Sequence, residues 1–214
     1  MMSTGIGSPK RDTYRHGDLR RALLEAGTEL ARGGGPEAVV LREATRRVGV
    51  APSAAYRHFA DRRALLDAVC SASQAALAVA MEEELDGLPN GEDPADATRA
   101  RLRAVGAGYL RFAQAEPGLF RTAFSASDNL RSAASPSRAG EGGLTPFQLL
   151  AAALDGLVEA NVLPPERRPG AEFLAWSAVH GLAMLLIDGP LRGLDRAQTQ
   201  DIGHRLLDMV ERGL

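Results

Sequence analysis

An all-α fold, with about nine helices, is what this sequence predicts. Alanine, leucine, arginine and glutamate are abundant while valine and isoleucine are sparse, a mix that favours helix over sheet because straight-chain residues lose little rotamer freedom in a helix. Apolar residues recur at three- and four-residue spacing, and nowhere does the period-two alternation of a half-buried strand appear. Glycine and proline gather between the periodic stretches, where helices stop and start. With 214 residues, 45% of them hydrophobic, the chain can fill a substantial core.

The first helix is expected from near His16 to Arg32, with Leu19, Leu23, Ala26 and Leu30 on one stripe and Gly33-Gly34-Gly35-Pro36 as its stop. Leu41 to Val48 reads as the second, packed through Leu41, Ala44 and Val48, with Arg42, Thr45, Arg46 and Arg47 pointing elsewhere. Gly49 ends it and Val50 plugs the turn. Pro52 then opens a third helix at the one helical position where a missing N–H costs nothing, and its inner face is Ala55 and Phe59. The fourth helix runs from Arg62 to about Leu85, a rod of about 36 Å at ~1.5 Å per residue, long enough to belong to both halves of the protein. Beyond the turn-rich stretch Asp86 to Asp93, Pro94 to Ala113 forms a fifth helix and Pro117 to Phe124 a short sixth. Ser125 to Gly143 is dominated by serine, glycine and arginine; it is expected to be too polar to bury, and mobile. Helical spacing resumes at Leu144 to Ala160. The last two helices, about Gly170 to Ile187 and Asp195 to Arg212, flank Asp188-Gly189-Pro190 and carry apolar faces broad enough for a partner. No solenoid-type repeat is present.

The segment Leu41 to Leu66, LREATRRVGVAPSAAYRHFADRRALL, carries the strongest functional signal. Two short helices about a glycine turn, with a third beginning at once, form a helix-turn-helix. The outer face of the second of them holds Ser53, Ala54 and Arg57, with Tyr56 and His58 at its edges, a small hydrogen-bonding surface suited to a DNA major groove. Ser53 and Arg57 are the candidates for base edges. Tyr56, His58 and Arg62 are candidates for phosphate, since hydroxyl, imidazole and guanidinium all donate to phosphate oxygens. Arg42 and Thr45, on the preceding helix, complete the candidate surface, while Arg46 and Arg47 read as a solvated face. Tyr14, Arg15 and His16 stand where the first helix's N-terminus would attract the DNA backbone.

These residues resemble the DNA-binding domain of the TetR family of bacterial transcriptional repressors. Tyr14 to Arg20 (YRHGDLR), Gly49-Val50, Tyr56-Arg57-His58-Phe59 and Leu65-Leu66 stand in that family's order and spacing, over roughly residues 10 to 70. Trp176, His180 and Gly181, in AWSAVHGL, resemble the Trp-His-Gly signature of one type of C-terminal regulatory domain in the family. The resemblance implies a DNA-binding domain over 10–70 and a helical regulatory and dimerisation domain over 71–214. It further implies a homodimer paired through the last two helices, a near-palindromic double-stranded operator and a small apolar or amphipathic effector. The sequence departs from the pattern in having Val40 and Ala51 where the family usually has a capping Ser or Thr, a loss of about 1 kcal/mol per cap. Thr45 stands where the family tends to have alanine, and Ala44 where it has a larger aliphatic.

Charge is distributed as this reading requires. The net charge of −2 divides into +4 over residues 1–70, with twelve Lys and Arg against eight Asp and Glu, and −6 over 71–214. The N-terminal third therefore faces a polyanion, and the rest is repelled by it. Lys10 is the sole lysine among 25 basic residues, so nearly every cation is a planar guanidinium able to bind phosphate or guanine by paired hydrogen bonds. The lone Cys70 excludes an intrachain disulfide. The start lacks a signal peptide's apolar core and no run reaches the length of a membrane span, so a cytoplasmic location is expected.

In the C-terminal part Tyr109, Phe112, Leu119, Phe120, Phe124, Phe147, Trp176, His180 and Met184 gather most of the aromatic and soft apolar side chains. They form either a packed core or the wall of a ligand cavity oriented by a few polar groups such as His180, Tyr109 and Gln114. The family resemblance favours the cavity. Trp176 and His180 lie one turn apart and share a face. Four scattered histidines and one cysteine predict no metal site, and no cofactor motif is found. Two other readings are open: a small hydrolase, for which neither a nucleophile elbow nor HExxH is present, and a helical dimerisation or scaffold protein whose basic motif is idle.

Overall fold

The computed structural model describes residues 16–89, 93–125 and 133–214. Among them are nine α-helices and no strand: α1 (His16–Gly34), α2 (Leu41–Val48), α3 (Pro52–Ala55), α4 (Arg62–Asp86), α5 (Pro94–Ala115), α6 (Pro117–Ala123), α7 (Pro146–Glu159), α8 (Ala171–Ile187) and α9 (Arg196–Gly213).

The helix ends follow from their capping residues. Asp61 accepts the Ala64 amide at 2.8 Å to start α4, and Asp93 accepts that of Ala95 at 2.9 Å to start α5. Capping boxes open α7 through Thr145 and Gln148 and α9 through Asp195 and Gln198, each satisfying two amides reciprocally. By contrast Val40 and Ala51 supply no side-chain cap to α2 or α3, so both helices of the motif are weakly started. Gly49, at φ 74°, occupies the left-handed conformation that closes α2, and a side chain there would be strained.

α4 is the axis of the molecule. Its first half packs on α1 through Leu65 and Val69, and its second half lies against α5 and α6 through Leu77, Ala78 and Met81, all of them buried. Helices α5, α7, α8 and α9 enclose the C-terminal core, and one continuous apolar cluster joins Leu23 in α1 to Leu207 in α9. The backbones of α4 and α5 approach closely at Gly108, where an added Cβ would lie 2.6 Å from the Ala80 carbonyl oxygen. By length and composition α4 is apolar enough to span a membrane, which the sequence reading did not anticipate. Half of that stretch is buried inside the protein.

One expectation is overturned. Much of the polar stretch read as an exposed, mobile loop is folded against α4: Arg138 is buried in a short 3-10 turn, Pro136–Arg138, and the amides of Glu141 and Gly142 donate to the Glu82 carboxylate at 2.9 and 3.1 Å. Local composition could not report this, because the partners that accept these polar groups stand more than fifty residues away in sequence. Residues 126–132 of that stretch lie outside the described residues.

Candidate nucleic-acid interface and ligand cavity

The head is built on buried Leu41, Ala44, Ala55 and Phe59, as the helical spacing requires. Gly49 donates its amide to Arg46 O and Val50 to Thr45 O, turning the chain between α2 and α3. The Arg20 guanidinium covers the Phe59 ring at 5.2 Å, tying α1 to the end of the motif. α3 is regular only to Ala55; Tyr56, Arg57 and His58 continue as a turn, with the His58 and Phe59 amides both directed at Ala55 O.

The side chains expected on the outer surface divide. Ser53, Tyr56, Arg57 and Arg42 are exposed, Tyr56 at 60%, and Ala54 and His58 are half-buried beside them. Thr45 is not on this surface. It is 1% exposed and its hydroxyl donates to Arg42 O at 2.7 Å, because the α2 face that packs on the head includes position 45 as well as 41 and 44. Arg62 is turned back on the protein instead of outward: Nε donates to Val39 O at 2.9 Å and Nη2 to Pro36 O at 2.8 Å, fastening the start of α4 to the loop before α2. Arg46 and Arg47 close on Glu43, and the Arg46 hydrogen bonds hold the Glu43 carboxyl below its usual range. Tyr14 and Arg15 lie outside the described residues, and of His16 only the helical backbone is described.

In the C-terminal half a cavity of about 260 Å³ lies between α4, α5, α7, α8 and α9. Four of the expected residues line it: Tyr109, Phe124, Phe147 and Trp176. Phe112 and Phe120 do not; at 6% and 0% exposed they are core, with Phe120 packed edge-on against Tyr109 at 5.3 Å. His180 stands behind the wall, stacked on Phe120 at 5.6 Å. Met184 is half-buried against the core away from the cavity, and Gln114 is committed to Leu110 O elsewhere. Each of these five lies on an aromatic or helical stripe that reads the same in sequence whether it faces a core or a void.

Behind the wall a hydrogen-bond chain joins three helical residues. Trp176 Nε1 donates to the Tyr109 hydroxyl at 3.1 Å, and that hydroxyl meets His180 Nδ1 at 2.8 Å. Burial lowers the His180 pKa, favouring the neutral ring, and raises that of Tyr109, so the phenol keeps its proton. The phenol hydroxyl shares a hydrogen bond with His180 Nδ1 while accepting from the indole. His180 Nδ1 is engaged by the phenol.

Sequence reasoning missed the polar side chains on the wall, Gln74, Arg103 and Arg138. Gln74 Nε2 donates to Ala123 O at 2.5 Å, which leaves its carbonyl oxygen toward Arg138 Nη1 at 3.5 Å. An available signal was Gln74 itself, the one amide side chain within the small and apolar stretch Ala68 to Met81. Among the described residues no group of three or more His, Cys, Asp or Glu side chains is placed to hold a metal.

Comparison with known proteins places this architecture. The family described as tetR-family bacterial regulatory proteins matches residues 23–69, and that described as the tetracyclin repressor-like C-terminal domain matches residues 102–210. No curated protein matches. Among solved structures, a protein of unknown function from Rhodococcus sp. RHA1 is 25% identical over 95% of this chain and 99% of its own, with a TM-score of 0.72. The TetR-family transcriptional regulator PfmR from Thermus thermophilus is 22% identical over 90% of this chain and 98% of its own, at TM-score 0.56. A TetR variant from Acinetobacter baumannii AYE, solved in complex with minocycline, is 19% identical over 89% and 93%, also at 0.56. The two matched regions cover the head and the cavity-bearing half in the family's order, and this chain belongs to the tetR family of bacterial regulatory proteins, which are DNA-binding transcriptional regulators.

Proposed function

We propose that the chain is a ligand-responsive, dimeric repressor with a DNA-binding domain over residues 10–70 and a regulatory and dimerisation domain over 71–214, acting in the cytoplasm. The observation that carries the ligand response is that one helix serves both sites: α4 is fastened to the head by Arg62 at its start and contributes Gln74 and Met81 to the cavity wall. A ligand that shifts α4 changes the presentation of the head. Coupling of about 1–3 kcal/mol weakens operator binding roughly 5- to 150-fold.

Ser53 and Arg57 are assigned to base edges and Tyr56, His58 and Arg42 to the DNA backbone. The assignment of Thr45 is withdrawn on its burial, and that of Arg62 on its inward hydrogen bonds. Trp176, His180 and Gly181 are assigned to the Trp-His-Gly type of regulatory domain; in support, the first two are joined through Tyr109 by hydrogen bonds while Gly181 is exposed on α8. Pairing of two chains is assigned to α8 and α9. Of seven exposed large hydrophobic side chains among the described residues, Phe173, Leu174, Leu185 and Met209 lie on these two helices. A four-helix bundle formed there sets two heads about 34–36 Å apart, one turn of DNA, or somewhat farther, and calls for a near-palindromic operator.

Selection of bound duplexes from a random pool, followed by a salt-controlled titration of Arg57→Ala, tests the reading. Loss of a bidentate guanine contact costs about 1–3 kcal/mol, with dimer mass unchanged. No enrichment of any inverted repeat by the unaltered protein would falsify the proposal.

A further inference from the structure

Among the described residues, every polar side chain on the cavity wall is already engaged within the protein. Arg103 is directed to α9, where Nε meets Glu211 at 2.6 Å and Nη2 meets Asp208 at 3.2 Å. Gln74 donates to Ala123 O at 2.5 Å while its amide oxygen meets Arg138 Nη1 at 3.5 Å, and both side chains hold further interactions with the protein. The Tyr109 hydroxyl is shared with His180 Nδ1 and accepts the Trp176 indole N–H. What remains of the wall is apolar. Phe124 and Phe147 stand 6.0 and 6.2 Å from the Trp176 ring, and aliphatic side chains such as Leu102, Leu150 and Val179 make up much of the rest.

An ion entering this space gives up its hydration and finds its possible partners committed, so it is repaid only by breaking a bond the fold already has. Anions and cations are penalised alike. For Arg103 the bond at risk is with Glu211, whose side chain is 4% exposed and would keep only Arg99 as a partner. The volume of about 260 Å³ exceeds the ~150 Å³ of an engineered apolar cavity that accepts benzene by enough to admit a second ring. Flat rings meet aromatic walls in offset or edge-on contact. From these observations we propose that the effector is an uncharged, apolar molecule with a flat aromatic body of about two fused rings, laid against Phe124, Phe147 and Trp176. This deepens the ligand response proposed above and rests on it.

Isosteres that differ in charge test the proposal. 2-Naphthalenemethanol, 2-naphthoate and 2-naphthylmethylammonium are titrated in turn, by calorimetry, into the purified full chain at neutral pH. The alcohol is expected to bind at least about 10-fold more tightly than either ion. Naphthoate should gain about tenfold for each unit by which pH is lowered toward its own pKa, because only its protonated form enters. Decahydro-2-naphthalenemethanol, which lacks the aromatic faces, should bind about 2- to 10-fold more weakly than its aromatic parent; equal binding removes the aromatic part of the proposal. Either ion binding as tightly as the alcohol overturns it, and so does failure of all to bind. Ala175, buried on the wall, supplies the control for location: Ala175→Phe fills the space and should abolish binding of the alcohol, and undiminished binding overturns the proposal. Should that variant not fold, the emission of Trp176, the only tryptophan in the sequence, must shift with the non-fluorescent saturated alcohol; no shift has the same consequence. The naphthalene alcohol is then titrated against the chain bound to its selected duplex. Binding without loss of operator affinity counts against the ligand response and leaves the chemistry of the cavity standing.

Discussion

Tyr109→Phe removes one buried oxygen and nothing else. The ring stays in its edge-on contact with Phe120 and its tilted contact with Phe124, at 5.3 and 6.2 Å, so no cavity larger than an oxygen atom is made. What is lost is the acceptor for Trp176 Nε1 and the partner of His180 Nδ1. A buried polar group stripped of its partner costs about 1–3 kcal/mol. Both partners here are only half-buried and one of them borders a cavity, so water recovers part of the loss and about 1–2 kcal/mol remains. For a chain of this size that lowers the thermal midpoint by about 2–8 °C. Thermal unfolding followed by circular dichroism measures it. The emission of the single tryptophan, recorded on the folded variant, shows whether the indole has lost its fixed partner. Combining the change with Trp176→Phe should give less than the sum of the two single effects, since both remove the same bond. A midpoint within about 1 °C of the unaltered protein, with unshifted emission, would mean that the three-residue chain contributes nothing and that the reasoning from its geometry is wrong.

Three other outcomes follow from the geometry. Thr45→Val keeps the branched shape at a site 1% exposed and removes the hydroxyl bond to Arg42 O; it should cost about 1 kcal/mol of stability and leave operator affinity unaltered, and a tenfold loss of affinity in a DNA titration would put Thr45 back on the interface. Gly108→Ala drives a methyl group to within 2.6 Å of Ala80 O and Met81 Cα, an overpacking cost of about 1–3 kcal/mol set against at most ~1 gained in helix propensity; urea unfolding that shows the variant more stable would contradict the close approach of α4 and α5. Burial holds the His180 pKa below its usual value. The unfolded chain therefore takes up a proton first as pH falls, and stability is full above about 6.5 and declines below it until the folded-state pKa is reached. His180→Gln should flatten that part of the pH profile, and an equal slope in both proteins would assign the dependence to other groups.

Much of the architecture was legible because it is local. The Gly-Gly-Gly-Pro run at the end of α1, the Gly49 turn, Pro52, and Asp195 at a helix start are signals a chain carries within a few residues, and each stands at an observed boundary. The site was legible in part. Tyr109, Phe124, Phe147 and Trp176 line the cavity, yet Phe112, Phe120 and Met184 have the same residue chemistry and spacing and are spent on packing. Thr45 was misplaced for a related reason: a threonine between arginines reads as surface, and only the depth of the α1–α2 contact reveals that its face is covered. Arg62 and Arg138 lie beyond any pattern of composition. Their guanidinium groups are directed by Val39 O, Pro36 O and Gln74, partners fixed by the tertiary path of the chain.

The way α4 is held limits how the head can respond to the cavity. Its start is pinned to the loop before α2 by Arg62, its middle to the end of α6 by Gln74 and by the Cys70 thiol, which donates to the same Ala123 carbonyl at 3.0 Å, and its last turns to α5 by Arg111, which reaches Ala80 O, Glu83 and Glu84. The head is also tied to the start of α6 directly, through Arg32 and Glu116 at 2.9 Å. A tilt of α4 alone would break the continuous apolar cluster, which costs far more than a ligand in a small cavity returns. In the proposed response α4 and α6 therefore shift together, with the bonds at Ala123 O as the place where cavity and axis meet. The free energy needed to alter DNA affinity, about 1–3 kcal/mol, is that of one or two such hydrogen bonds. In the proposed response, displacing the Gln74 amide from Ala123 O would supply a free energy of that order. That makes Gln74→Leu, which leaves the Arg62 clamp and the head's surface untouched, a substitution whose effect should fall on ligand response before it falls on operator affinity.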